Sequence, residues 1–423
     1  MAPGAAAASA SRPRPAASAA AISTAPAAAP DWALFDPTVL MVTEVADPAA
    51  ACATSDGRDT HVSLRLASPP AASYVEMRAD VRSEDDWYSP QEPTYTVLAA
   101  DGDLLLIHMS VSSHRYEFYV LLPDPGDCAP AVRFTGIACR DDGEFVVAGF
   151  ITGNVGHQVQ RWDRGTNNEP KEVGVLSRFS SSTGQWEVIN DLPIPHDPSR
   201  GLYEWTWDTD KVLAFRGHMF FVDYHRGMLF CDVFADGAPE LRFVPLPGIE
   251  VWDDTRDYGY GRQTPEVRRT VCVSQGKIRF VDVDDGLFGS EKTSGFSVTT
   301  WTLRMPEMAE WDKDCVLQVD DLWSQSKYRE SPLPRWAPEY PVVGTRDSDV
   351  VHFVVRGPQF VGIPKAWIIS VSMREMELQS YMPYESEHPD LLVEYEEGVV
   401  VDLTCVFPDT VFICSNLCKA TCN

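Results

Sequence analysis

Five groups of residues in this chain have types and spacings that could do chemistry. Ser324 and Lys327 stand three apart, the spacing of a Ser/Lys nucleophile pair, in which the amine would activate the hydroxyl. Asp282, Asp284 and Asp285 run into Gly286 in the manner of a calcium loop. That glycine comes one position early and position twelve is Thr293 in place of a glutamate, so the segment reads as a hairpin turn. Cys414, Cys418 and Cys422 would place three thiols on one face of a helix, but a structural zinc site takes four ligands, usually in close pairs, and the spacing fits a tail of unpaired thiols. Trp-Asp dipeptides begin at Trp162, Trp207, Trp252 and Trp311, without the Gly-His partners a WD repeat requires in each unit. Residues 250–262 combine Trp252, Asp253, Asp254, Arg256, Tyr258 and Tyr260 with glycines. Trp, Tyr and Arg are the residue types that anchor protein interfaces. This loop is the candidate binding segment.

The remaining catalytic signatures are missing. There is no Gly-x-Ser-x-Gly elbow, no His-Glu-x-x-His helix and no phosphate loop. Paired carboxylates of the glycosidase kind cannot be picked out of an acidic chain by abundance. No catalytic residue, metal or cofactor is assigned on these grounds.

The elements that must position such residues are strands. From residue 211 to 247, short apolar runs are cut by Arg216-Gly217, by His225-Arg226-Gly227 and by Asp236-Gly237, which reads as four strands of one antiparallel meander. The runs 219–222 and 228–231 are apolar at every position and so are covered on both faces. Radially stacked sheets provide such cover, and the unit reads as one propeller blade. Asp223 and Asp232 are expected to accept turn hydrogen bonds, Gly227 to supply a positive φ, and Pro247 to end ladder pairing.

The rhythm recurs. Units ending near Leu122-Pro123, Leu192-Pro193, Leu246-Pro247, Met305-Pro306 and Met382-Pro383 each follow a strand read as the outer one. Residues 399–404 and 410–414 would supply a further sheet, completed by N-terminal strands such as 61–66, so that the two ends pair and close the ring. The fold class is all-β: a single β-propeller-like domain of about six four-stranded blades over residues 31–414. Residues 1–30, rich in Ala, Pro and Ser, read as a disordered tail or alternatively as an organelle transit peptide, and residues 415–423 as a C-terminal tail.

The stretch 220–232 with the Phe243-Val-Pro-Leu-Pro247 that follows, and the stretch 269–280, resemble the core of the plant family called domain of unknown function 1618, which is expanded in grasses. The flanks agree, from Asp31-Trp32 to Trp301, Trp311, Trp323 and Leu333-Pro334. The resemblance implies no established activity and no catalytic residues. It relates the sheets to F-box-associated propeller domains, although residues before Asp31 leave no room for an F-box, so an adaptor role does not carry over.

Thirty-five basic residues face 62 acidic ones, a net charge of −27, which repels a phosphate backbone and excludes nucleic acid as the expected partner. No stretch is apolar for long enough to span a bilayer. Cysteines inside apolar strands, such as Cys231 and Cys272, and the lack of any Asn-x-Ser/Thr sequon point to an intracellular address, cytoplasm or nucleus. The expected function is a non-catalytic, monomeric interaction module that binds another protein. The alternative is a propeller hydrolase acting on a sugar or small ester.

Overall fold

Apolar runs punctuated by Gly- and Asp-bearing turns fold back on their neighbours, and this chain does so sheet after sheet. The computed structural model describes residues 32–45, 50–53, 59–79, 94–101, 104–112, 115–119, 135–154, 172–195, 207–249, 264–284, 295–356, 366–384 and 413–415. The first seven strands are β1 (Ala33–Met41), β2 (Ala50–Ala53), β3 (Asp59–Arg65), β4 (Ser73–Ala79), β5 (Thr94–Asp101), β6 (Leu104–Ser112) and β7 (Arg115–Tyr119). They hydrogen-bond in the order β2-β3-β4-β1-β5-β6-β7.

Four antiparallel four-stranded meanders follow. The first is β8 (Thr135–Cys139), β9 (Phe145–Asn154), β10 (Glu172–Ser180) and β11 (Gln185–Pro193). Next come β12 (Lys211–Phe215), β13 (His218–Asp223), β14 (Gly227–Asp232) and β15 (Arg242–Pro245). The third is β16 (Arg269–Ser274), β17 (Lys277–Asp284), β18 (Ser297–Leu303) and β19 (Trp311–Gln318). Two short helices, α1 (Val319–Ser324) and α2 (Ser326–Arg329), lead to the last: β20 (Glu339–Val343), β21 (Val350–Arg356), β22 (Ala366–Ser372) and β23 (Glu377–Tyr384). Finally β24 (Ile413–Ser415) pairs antiparallel with β1, Leu34 opposite Cys414.

The first strands of successive sheets are neighbours: β5 touches β8, β8 touches β12, β12 touches β16, and β16 touches β20. The sheets therefore radiate from a common centre, and the fold is a β-propeller. It has five sheets among the described residues, against the expected number of about six blades. The difference lies at the closure. The strand set that pairs the two chain ends and the β5–β6–β7 meander are joined through β1, which bonds β5 at Thr38↔Thr96, into one eight-stranded sheet. Its two parts still pack on each other through Phe35, Val75 and Met77 on one side and Tyr95, Val97 and Ile107 on the other.

The fully apolar strands behave as their composition demands. Met219 and Phe221 of β13 pack with Phe150 and Leu176 of the preceding sheet, while Phe220 and Val222 pack with Val271 and Phe280 of the following one. Each such side chain, fully withdrawn from water, contributes about 1.5–3 kcal/mol. One unit is redrawn: Met305-Pro306 lies between β18 and β19 and does not follow an outer strand, because the outer strand is β19.

Candidate functional site

The hairpin between β13 and β14 turns on Tyr224, His225 and Arg226, with Asp223 opposite Gly227. Asp223 is fully buried, and its carboxylate is spent on the turn. Oδ1 accepts the His225 N–H at 2.9 Å, and Oδ2 accepts the Asp208 N–H at 3.2 Å and lies 3.4 Å from Nη1 of the equally buried Arg226. Asp210 accepts the Tyr224 N–H at 2.7 Å. From the next sheet, Arg269 donates to the Tyr224 carbonyl at 2.7 Å and to Asp282 at 2.8 Å, and the Tyr224 hydroxyl accepts the Val271 N–H at 3.2 Å. Burial, before any charge effect, pushes the Tyr224 hydroxyl far above its ordinary range, so it stays neutral. Charges taken this far from water persist only when paired and hydrogen-bonded, as these are.

Gly227 does not have the positive φ expected of it, unlike Gly217 at +77° and Gly237 at +75°. Its requirement is space. A Cβ there would lie 2.4 Å from the Val244 carbonyl oxygen and 2.6 Å from the Phe243 ring on β15. Asp232, at the far end of β14, accepts the Phe234 N–H through Oδ1 at 2.9 Å. Pro247 follows Leu246, whose N–H bonds the Arg226 carbonyl at 3.1 Å. The fold thus gathers Asp223, Gly227 and Pro247 at one end of the sheet and leaves Asp232 at the other.

Trp252, Asp253, Asp254, Arg256, Tyr258 and Tyr260 lie outside the described residues. What is described is how their segment is held. It leaves β15 at the end where Tyr224–Arg226 turn. It re-enters through a 3-10 turn at Pro265–Val267. There Arg268 donates to the Pro338 carbonyl at 3.2 Å and pairs with buried Glu339 at 3.6 Å, and Arg356 approaches the other Glu339 oxygen at 2.7 Å.

The other chemical candidates resolve into structure. Ser324 Oγ donates to the Asp321 carbonyl at 2.7 Å and Lys327 Nζ to that of Gln379, so hydroxyl and amine do not meet. Asp282 is engaged by Arg269, and Asp285 and Gly286 lie outside the described residues, as do Cys418 and Cys422. Trp311 opens β19 and donates its indole N–H to the Pro245 carbonyl at 2.8 Å. Among the described residues no group of three or more His, Cys, Asp or Glu could hold a metal ion. Burial pushes the Cys231 thiol up to about 12, which removes it as a nucleophile.

Sequence reasoning passed over a cavity of about 460 Å³ at the seam between the first and last sheets, lined by Trp32, Arg346, Asp347, His352, Gln379 and Ser380 among others. A lone histidine inside the apolar run of β21 gives no signal of such a site, and its neighbour Trp32 comes from the opposite end of the chain.

The fold is an all-β propeller whose charged motif residues are committed to turns and to contacts between sheets. Residues 221–352 match the family model described as "Protein of unknown function (DUF1618)", a range that contains most of the stretch 220–232 and all of the stretch 269–280. No curated protein matches the chain. Among solved structures, it is similar to the α-L-arabinofuranosidase PaAbf62A from Podospora anserina in complex with cellotriose, at 12% identity and a TM-score of 0.29, covering 79% of this chain and 93% of that one. The α-L-arabinofuranosidase CtGH43 from Clostridium thermocellum ATCC 27405 aligns at 8% identity and a TM-score of 0.28, over 79% and 93%. The GH43 protein BlXynB from Bacillus licheniformis aligns at 10% and 0.25, over 71% and 52%. Scores this low carry no argument about activity.

Proposed function

We propose that this protein is a non-catalytic interaction module that binds another protein through residues 250–262, with Trp252, Arg256 and Tyr258 as anchors. The observation that supports this is the framing of the segment. Before it, the Leu246 N–H bonds the carbonyl of Arg226 in the buried β13–β14 turn, and after it Arg268 pairs with buried Glu339, which Arg356 also approaches. A segment whose flanking residues are anchored loses less freedom on binding, and preorganisation raises affinity. The described ionisable groups singled out above are occupied with one another or with backbone, which suits a scaffold. The acidic balance of the chain disfavours nucleic acid as the partner. Among the described residues no helix is long and apolar enough to cross a membrane.

The test is affinity capture from native extract with the full chain and with the Trp252→Ala/Arg256→Ala/Tyr258→Ala variant. Partner yield is expected to fall at least about tenfold, the loss of a single hot-spot residue, with an unchanged melting temperature. Equal capture by both proteins would refute the loop assignment. Turnover of aryl glycosides or aryl esters by the purified chain would overturn the non-catalytic reading in favour of a hydrolase.

A further inference from the structure

The connector between β19 and β20 is tied down along its length, yet it leaves two of its largest side chains in solvent. At one end Gln325 donates to the Met376 carbonyl at 2.7 Å and accepts the Leu378 N–H at 3.2 Å, and Lys327 donates to the Gln379 carbonyl. In the middle, buried Tyr328 donates its hydroxyl to the Pro334 carbonyl at 2.7 Å. Leu333 and Ala337 are buried with Trp323 and Tyr328 in the core shared by the third and fourth meanders. At the other end the Pro338 carbonyl accepts from Arg268 at 3.2 Å. Prolines at 332, 334 and 338 restrict the backbone further.

Between these anchors Arg335 and Trp336 are exposed. At 52%, Trp336 is the most open large apolar side chain among the described residues, and among them it meets no ring and no hydrogen-bond acceptor. Leu333 and Ala337 are buried on either side of it, so a fixed backbone holds the indole out. The charge here runs against the rest of the chain. Within 325–337, Lys327, Arg329 and Arg335 face the single acid Glu330, in a protein with 62 acidic residues and 35 basic ones. Other surface arginines are matched by those acids: Arg178 by Glu187, Arg279 by Asp314, and Arg304 by Glu310 and Asp312. Exposed Arg329 and Arg335 form no ion pair with any described residue. Burial pushes the Tyr328 hydroxyl up to about 12, while a bond with Trp323 and the Arg335 charge work against that rise. Arg335 therefore stands near Tyr328, the chain neighbour of Arg329.

A planar guanidinium takes a carboxylate through two parallel hydrogen bonds. Trp and Arg are also the side chains that dominate interface energetics. A short anionic segment on the connector feels these local cations, because charge beyond the Debye length of about 8 Å at physiological salt is largely screened. A polymer or bilayer of phosphates would extend past them to the acidic remainder of the chain. We infer that residues 325–337 dock an acidic, extended segment of another protein, with carboxylates on Arg329 and Arg335 and an apolar side chain on Trp336. This surface shares no residue with 250–262 and stands if that reading fails.

The experiment is fluorescence anisotropy of a fluorescein-labelled peptide, Glu-Asp-Glu-Phe-Pro-Glu-Asp-Glu, titrated with the full chain. Saturable binding is expected with a Kd below about 1 mM, weakening as salt is raised from about 50 to 300 mM. The same peptide with Gln and Asn in place of its acids should not bind. Arg329→Glu/Arg335→Glu and Trp336→Ser should each weaken binding at least about tenfold while keeping the wild-type melting temperature, since these side chains are exposed. Trp252→Ala/Arg256→Ala/Tyr258→Ala should bind the peptide as the wild type does, which separates this surface from the 250–262 reading. No saturation up to about 1 mM, equal binding of the neutral peptide, or wild-type affinity in the double-arginine variant would overturn the assignment. So would tighter, arginine-dependent binding to phosphatidylserine vesicles or to a single-stranded RNA oligonucleotide.

Discussion

Gly227→Ala tests whether this glycine is required for space or for backbone conformation. The added Cβ would stand 2.4 Å from a carbonyl oxygen and 2.6 Å from an aromatic carbon, both on the neighbouring strand β15. The ring of Phe243 could give way. The Val244 carbonyl belongs to the ladder, with Val244 paired to Met228, and cannot shift without opening it. Overpacking by a single methyl in a well-packed interior costs about 1–3 kcal/mol, and a backbone contact belongs at the upper end. Urea denaturation of the full chain should show that loss. Gly217→Ala, where φ is +77° and nothing lies within 4 Å, serves as the conformational control and should cost about 1–2 kcal/mol. Asparagine separates the causes, because it tolerates positive φ but is larger than alanine. Gly217→Asn should recover most of its loss, while Gly227→Asn should be worse than Gly227→Ala. If Gly227→Asn were the better tolerated of that pair, the steric reasoning would be wrong.

Two further outcomes follow from buried charge. Arg226→Met removes a guanidinium from beside the fully buried Asp223 carboxylate and should cost about 3–5 kcal/mol in denaturant titration; Arg226→Met/Asp223→Asn should cost less than the sum of the single changes, and strict additivity would show that the two groups do not interact. His352 has a folded pKa of about 4 against an ordinary 6.5, so between those values the unfolded chain takes up a proton that the folded chain refuses. Stability should therefore fall as pH drops through that window, by about 1.4 kcal/mol per unit and about 3 kcal/mol in all from this group. His352→Phe should flatten the slope by that amount, and an unchanged slope would contradict the buried neutral imidazole.

The blades were legible where strands are buried on both faces and turns are marked by glycine. That is why residues 211–247 were read strand by strand. The strands that escaped notice share a physical reason. β19, Trp311–Gln318, is an outer strand with mostly exposed or half-exposed residues, so it carries Asp, Lys and Gln and shows no apolar run. β8 and β20 are innermost strands with interrupted composition. Gly136 in β8 leaves room for Val212, whose Cγ1 would be 2.5 Å from a Cβ there, and β20 carries Glu339, which answers Arg268 and Arg356, and Pro341. Their polar or small residues serve contacts with other sheets, which spacing along the chain cannot reveal. Five sheets in place of about six have a related reason: the bridge at Thr38↔Thr96 that merges two strand sets is long-range and leaves no local mark.

The same reasoning explains why the most distinctive stretch says least about activity. In residues 220–232, Asp223 accepts backbone N–H groups, Arg226 faces Asp223, Gly227 admits Phe243, and Asp232 accepts the Phe234 N–H. Each of these side chains is spent on making a sheet that is covered on both faces. A chain that commits its most characteristic residues to the frame must carry specificity in what the frame holds. On the reading proposed above, that place is residues 250–262, between Leu246, whose N–H bonds the Arg226 carbonyl, and Arg268, which pairs with buried Glu339. The Trp252→Ala/Arg256→Ala/Tyr258→Ala variant should therefore lose partner capture while keeping the wild-type urea midpoint, because none of the frame residues named here is changed, and a lowered midpoint would mean that the substitutions had disturbed the propeller as a whole.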